Sequence, residues 1–215
     1  MSILIRRALA TASLACVATP ALAAADFAAC FRLDPSVSWS VGRENTRIVA
    51  TTFAEAPALA VVTSGSGMTV ANLYDTTGRR RLGTVHYGIA AWGADGSKPM
   101  MTDRYDPAPT FPATATPGQR FTVTGKGTRV NHGEGSESEL EYDGFSDYTF
   151  VGFQDLDTEI DYAPRTFKDT CHLTAAVEGG RVEAWYAPGF GRIKFERYSG
   201  DSLLFSDEID SITSE

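Results

Sequence analysis

Apolar and polar residues alternate along most of this chain in short runs, and glycine, proline, aspartate and serine separate the runs. Alternation with a period of two places successive side chains on opposite faces of a β-strand, and no long run shows the helical period. The predicted strands are 47–53, 58–63, 68–75, 82–92, 120–130, 139–142, 148–154, 158–162, 166–177, 182–186, 192–197 and 202–209. We expect an all-β fold with little helix, an antiparallel β-sandwich or half-open barrel of about ten to twelve strands.

A proline-rich stretch at 106–118 interrupts the alternation. Proline lacks the backbone N–H and fixes φ, so four prolines in this stretch exclude both a helix interior and a central strand. The stretch is either a linker between two lobes or a long surface crossing within one domain. We predict the second, a single β-rich domain over residues 24–215 with a crossing at 106–118.

The first residues have the three parts of a secretory signal peptide. Arg6 and Arg7 give a basic start, an apolar stretch follows, and the small-residue site at 21–23 comes after Pro20. We predict cleavage after Ala23, with Ala25 as the alternative. The apolar stretch is shorter than the roughly 20 residues that span a bilayer, so we expect no transmembrane segment in the mature chain and a periplasmic or secreted location.

The chain is acidic, with 19 basic and 27 acidic residues and a formal net charge of −8. Removal of Arg6 and Arg7 with the signal peptide leaves 17 basic residues and a net charge of −10. Binding to nucleic acid or to an anionic membrane surface needs a basic patch, so we expect neither partner.

Two cysteines, Cys30 and Cys171, belong to the predicted mature chain. An even number of cysteines in an oxidising compartment favours a disulfide between them. A buried free pair and a reactive thiol are the alternatives. The bridge would tie the start of the mature chain to its second half across the proline-rich crossing.

Four carboxylates alternate with other residues in one short segment: Asp155, Asp157, Glu159 and Asp161. In an extended strand all four side chains project from one face. Such a group could bind Ca²⁺ through oxygen ligands, or raise the pKa of one member enough for general acid catalysis. A solvated strand face is the plainer interpretation, and we expect no other cofactor.

Aromatic residues are the candidate ligand contacts. Trp92, Trp185 and Tyr186, together with Trp39 and Phe190, could line a cavity for an apolar ligand or stack on a sugar, although aromatic residues of a β-sandwich are usually core. The three histidines are far apart, and the sequence has no nucleophile elbow or phosphate-binding loop, so no catalytic residue is assigned.

The segment 148–195 resembles a known pattern. It contains YTFVGFQD at 148–155, APRTFKDTC at 163–171 and VEAWYAPGFGRIKF at 182–195. This is similar to the C-terminal strands of uncharacterised secreted or lipid-anchored bacterial β-proteins, with Arg165 where those proteins have glycine. The resemblance implies an architecture like the half-open β-barrels of periplasmic lipoprotein carriers, and it implies no catalytic residue.

The combined pattern favours an exported, non-enzymatic β-protein that binds an apolar or glycan ligand or an envelope partner protein. The first alternative is a hydrolase that uses the carboxylates between Asp155 and Asp161. The second is a structural envelope protein without a small ligand.

Overall fold

The computed structural model describes residues 26–65, 67–88, 98–142 and 144–214. In these ranges it has one short 3-10 helix, Phe27–Phe31, and fifteen strands. In chain order the strands are β1 (Val37–Val41), β2 (Glu44–Phe53), β3 (Ala56–Gly65), β4 (Met68–Tyr74), β5 (Arg81–Tyr87), β6 (Pro99–Tyr105), β7 (Arg120–Thr122), β8 (Lys126–Asn131), β9 (Ser136–Glu141), β10 (Asp147–Ile160), β11 (Ala163–Val177), β12 (Gly180–Ala187), β13 (Gly191–Ser199), β14 (Ser202–Glu208) and β15 (Ser211–Ser214).

The strands form two antiparallel sheets. One has nine strands in the order β15-β1-β2-β3-β4-β5-β6-β8-β9, and the other has six in the order β14-β13-β12-β11-β10-β7. The prediction of an all-β, sandwich-like fold is confirmed. Most strands that are neighbours in a sheet are also consecutive in the sequence. The main exception is β15, which follows β14 of the six-stranded sheet but pairs with β1 of the nine-stranded sheet.

Both faces of the nine-stranded sheet carry apolar residues in its central strands. In β4 the alternation buries Ala71 and Leu73 on one face and directs Asn72 and Tyr74 to the other. The sheet is strongly curled on the Ala71 face, as the contact between β5 and β2 shows: a Cβ on Gly83 of β5 would lie 2.8 Å from the Phe53 ring of β2, which is three strands away. A flat sheet would separate these strands by about 14 Å. The Asn72 face is the one that meets the six-stranded sheet.

A disulfide joins Cys30 of the 3-10 helix to Cys171 of β11, with 5.9 Å between the Cα atoms. Asp26 caps the helix by accepting a hydrogen bond from the Ala28 N–H at 3.0 Å. Phe27 and Phe31 on the helix pack into the cluster that Phe150 and Leu173 of the six-stranded sheet form. The helix therefore lies against the inner face of that sheet.

The structure shifts several predicted strand boundaries. The predicted strands 148–154 and 158–162 are one strand, β10, and its pairing with β11 passes through two irregularities. The predicted strand 120–130 is instead two strands, β7 and β8, in different sheets. The proline-rich stretch 106–118 lies between β6 and β7. The predicted signal peptide lies outside the described residues.

None of the helices in the described ranges has the length and apolar character needed to cross a membrane.

Candidate functional site

A cavity of about 340 Å³ lies between the two sheets. Its walls come from the inner faces of both sheets, the 3-10 helix and the proline-rich crossing. Residues that line it include Phe31, Trp39, Val61, Asn72, Tyr74, Phe111, Leu173, Ala175, Val182, Ala184, Tyr186 and Phe190. This volume is within the roughly 300–1,000 Å³ that is usual for small-molecule sites.

Small residues of the six-stranded sheet leave the space for the cavity. Val182, Ala184 and Tyr186 lie on the same face of β12. Ala175 of the neighbouring strand β11 is paired with Val182 and lies on that face too. Larger side chains at these positions would reach towards the opposite sheet. The cavity therefore exists because two alanines stand where a close-packed sandwich would carry larger apolar residues.

Aromatic rings form much of the remaining wall. The Phe31 and Phe111 rings are stacked with 4.5 Å between their centroids, and the Phe31 and Tyr186 centroids are 5.1 Å apart. On another part of the wall, Phe145 and Phe195 are stacked at 5.8 Å. Ring pairs in these arrangements attract one another beyond their buried area, so this part of the wall is a closely packed apolar surface.

Among the described residues, four tyrosines line the cavity and bring hydroxyl groups to this surface: Tyr74, Tyr142, Tyr148 and Tyr186. Burial raises the pKa of Tyr148 well above its usual range, and the neighbouring Tyr186 and Tyr142 raise it further. Burial also raises the pKa of Tyr186, while Arg192 acts in the opposite direction. Both phenols are therefore protonated at neutral pH, so each is a neutral hydrogen-bonding group rather than a base.

Arginine side chains also line the cavity. Arg81 donates from Nη2 to Asn72 Oδ1 at 2.9 Å and to Thr84 Oγ1 at 2.7 Å, and its Cζ is 5.8 Å from the Tyr142 ring centroid. Arg79 and Arg192 line the same cavity. Because Arg192 is exposed, the cavity reaches solvent on this side.

The predicted ligand contacts separate into three cases. Tyr186 lines the cavity, as do Trp39 and Phe190. Trp185 is not among the lining residues, because consecutive residues of a strand point to opposite faces and Tyr186 is the one that faces inward. Trp92 lies outside the described residues.

Trp185 is buried in an apolar cluster, and its ring also contacts charged and polar side chains of the six-stranded sheet. Its ring is stacked on His172 with 4.5 Å between centroids, and Lys194 Nζ lies 5.3 Å from its centroid. His172 Nε2 is 3.0 Å from Glu183 Oε2, and Lys194 forms ion pairs with Glu196 and Glu208. Burial lowers the pKa of His172, although Glu183 acts in the opposite direction.

The acidic segment lies on an exposed strand face. Asp155, Asp157 and Glu159 are exposed while Leu156 and Ile160 are buried, as the alternation predicts. Asp161 is the first residue of the turn that follows β10, and it is also exposed.

The surroundings of these carboxylates give them other partners. Asp155 forms an ion pair with Lys168, which lowers the pKa of that carboxyl group, and Asp157 accepts a hydrogen bond from Thr166 Oγ1 at 2.7 Å. In the described part of the chain no group of three acidic, histidine or cysteine side chains is close enough to hold a metal ion. None of the four carboxylates is among the cavity-lining residues. Calcium binding stays a prediction.

The arginines of the cavity are the residues that sequence reasoning missed. Arg79 stands in the turn before β5 and Arg192 at the start of β13, and each looks like an ordinary exposed turn or strand-end residue. Arg79 and Arg192 line the same cavity only because the two sheets pack together, and a local sequence pattern does not predict that packing. One signal in the sequence could have found Arg192. A hairpin with its turn at 188–191 pairs Arg192 with Tyr186, a predicted ligand contact.

Comparison with known proteins adds little. No protein-family model and no curated protein matches the chain. Among solved structures, one similar chain comes from Bacteroides fragilis and is titled a "putative exported protein with YmcC-like fold". The match covers 86% of this chain and 98% of that one, at 13% sequence identity and a TM-score of 0.41. A likeness at this level identifies neither a shared fold nor a shared function.

Proposed function

We propose that this protein is an exported, non-enzymatic binding protein that holds an apolar chain in the cavity between its two sheets. The observation that carries the proposal is the cavity itself, about 340 Å³ in volume and lined mainly by aromatic and aliphatic side chains. Apolar side chains on a cavity wall that water can reach are unfavourably hydrated, so a ligand that covers them is favoured.

Export is supported by two independent features. The first residues have the composition of a signal peptide. The disulfide between Cys30 and Cys171 needs an oxidising compartment to persist. The resemblance of segment 148–195 to secreted bacterial β-proteins and to the architecture of lipoprotein carriers agrees with both features.

A binding role also agrees with the chemistry of the cavity. Burial raises the pKa values of Tyr148 and Tyr186, so neither phenol is an activated nucleophile at neutral pH. The carboxylates that a hydrolase would need, Asp155 to Asp161, are not part of the cavity wall. Hydrogen-bond donors on an apolar wall orient a ligand without reacting with it.

The first test is native mass spectrometry of the purified protein, together with binding of palmitate, a single-chain probe, by titration calorimetry. We expect the wild type to bind the probe and Ala184→Leu and Ala184→Trp to weaken binding at least about tenfold, because the added side chain fills the space. Ala176→Trp is the matched control, since Ala176 is exposed on the other face of the neighbouring strand β11.

Thermal melting of each variant separates loss of binding from loss of folding. A folded Ala184→Leu protein that binds palmitate as the wild type does would contradict the proposal. So would a wild type that neither binds the probe nor carries a ligand from its host.

A further inference from the structure

Positive charge is concentrated on the cavity wall of a chain that is acidic overall. The sequence has 27 acidic and 19 basic residues, yet three arginines line this cavity beside two carboxylates, Glu44 and Asp207. Lys194 is also among the lining residues, but its side chain contacts Trp185 and is ion-paired with Glu196 and Glu208. The arginines therefore set the sign of the local charge.

Arg192 lies at the solvent side of the cavity. It is paired with Tyr186 across an irregularity in the β12–β13 pairing, and both residues line the cavity. Its Cζ is 4.9 Å from the ring centroid of Phe195. Stacking on a ring occupies the face of the guanidinium and leaves the N–H groups at its edge directed outward, where they can bind an anion.

Arg79 borders the same part of the wall. It donates from Nη1 to the Phe111 carbonyl oxygen at 3.0 Å, and the Phe111 ring is 5.9 Å from that of Tyr186. Phe111 and Tyr186 thus form one aromatic patch of the wall, with Arg79 bonded to Phe111 and Arg192 paired with Tyr186. Among the described residues, neither arginine forms an ion pair with a carboxylate.

Two guanidinium groups at the edge of an aromatic patch suit one class of ligand. We propose that the cavity takes a single-chain amphiphile with an acidic headgroup, a carboxylate or a phosphate, and that Arg192 and Arg79 bind this headgroup while the chain packs against Leu173, Ala175 and Ala184. The planar guanidinium matches both anions through paired hydrogen bonds. The volume, near the lower end of the usual range, suits one chain rather than two. This inference rests on the proposed function.

The test compares three probes with the same sixteen-carbon chain: palmitate, hexadecyl phosphate and hexadecanol. We expect at least one of the two acids to bind about tenfold more tightly than the alcohol, as one charge-assisted contact implies. Arg192→Gln and Arg79→Gln should each weaken binding of the acid about tenfold and leave binding of hexadecanol unchanged. Arg192→Lys should recover part of the loss, because it keeps the charge and loses the paired geometry.

Arg120→Gln is the matched control, because Arg120 is exposed on β7 and is not among the cavity-lining residues. Whichever acid binds more tightly identifies the headgroup. Equal binding of all three probes, with no effect of either glutamine variant, would overturn this inference and leave the proposed function intact. Failure of all three probes to bind would overturn both.

Discussion

At the scale of single residues, the most consequential ionisable group outside the cavity is His172. Its imidazole is held between the Trp185 ring, at 4.5 Å between centroids, and Glu183, whose Oε2 is 3.0 Å from Nε2. A carboxylate only accepts, so Nε2 carries the proton and donates it to Glu183. Burial lowers the pKa of His172 below its ordinary value, and the imidazole is therefore neutral at pH 7.

This lowered pKa makes the stability of the protein depend on pH. As the pH falls below about 6.5, the unfolded chain protonates His172 while the folded protein does not, so the free energy of unfolding decreases. The decrease ends once the pH is below the pKa of the folded state. The carboxyl groups of Asp155 and Glu196, whose pKa values are also lowered, contribute only at more acidic pH.

We expect urea unfolding at pH 7.5 and 5.5 to show a smaller loss of stability for His172→Gln than for the wild type. His132→Gln is the control, because His132 is exposed and its Nε2 bonds Thr102 Oγ1 at 2.9 Å, far along the sequence from His172. An unchanged pH dependence in His172→Gln would contradict this account of the imidazole.

At the scale of elements, the β10–β11 hairpin has an unusual turn. Asp161 and Tyr162 connect the strands with φ angles of 51° and 64°, and the Tyr162 side chain is 96% exposed. Two-residue turns with positive φ at both positions match the twist of a hairpin, and glycine is strongly preferred at the second one. Tyr162 therefore keeps the turn at a conformational cost that its side-chain burial does not offset.

Tyr162→Gly should raise the free energy of unfolding by about 0.5–1 kcal/mol, because glycine adopts the left-handed region without strain but loses more entropy on folding. Tyr162→Ala keeps the strain and removes the ring, so it should give little or no gain. Urea unfolding of both variants checks the prediction, and equal stability of the glycine and alanine variants would refute it.

The elements also show which parts of the fold the sequence pattern predicts. The alternation around Leu156 and Ile160 assigned the exposed and buried faces of β10 correctly, because one face of that strand is core and the other is solvent. The sequence pattern did not predict β1, β6 and β15. VSWSV of β1 alternates but is only five residues long, whereas PMMTDRY and SITS lack clear alternation and are strands through pairing with distant neighbours. The cavity arginines were missed for the same reason, because they meet only when the sheets do.

At the scale of the molecule, one covalent bond ties the 3-10 helix to the six-stranded sheet. The bridge between Cys30 and Cys171 spans 141 residues of sequence. In the chain-entropy model, closing a loop of this length stabilises the folded state by roughly 4–5 kcal/mol. The helix also carries Phe31, which belongs to the cavity wall.

Replacing both cysteines by serine should therefore lower the free energy of unfolding by several kcal/mol, at most about 5 in that model. It should also weaken binding of the single-chain probe, because Phe31 is no longer held against Phe111 and Tyr186. Urea unfolding and calorimetry measure the two effects. A reductant should cause the same two losses in the wild type and should change neither quantity in the variant without cysteines. Equal stability of the protein with and without the bridge would contradict the prediction.

The pairing of β15 with β1 has a consequence for how the protein is made. β1 is the first strand of the described chain and β15 the last, and β15 completes the sheet at that side. Because the chain is made from its N-terminus, β1 exists before β15 and has one unpaired edge until the last strand has been made. An uncovered strand edge recruits other strands, so this edge is open to wrong pairing during that interval. The nine-stranded sheet gains its β15–β1 pair only when the chain has been completed.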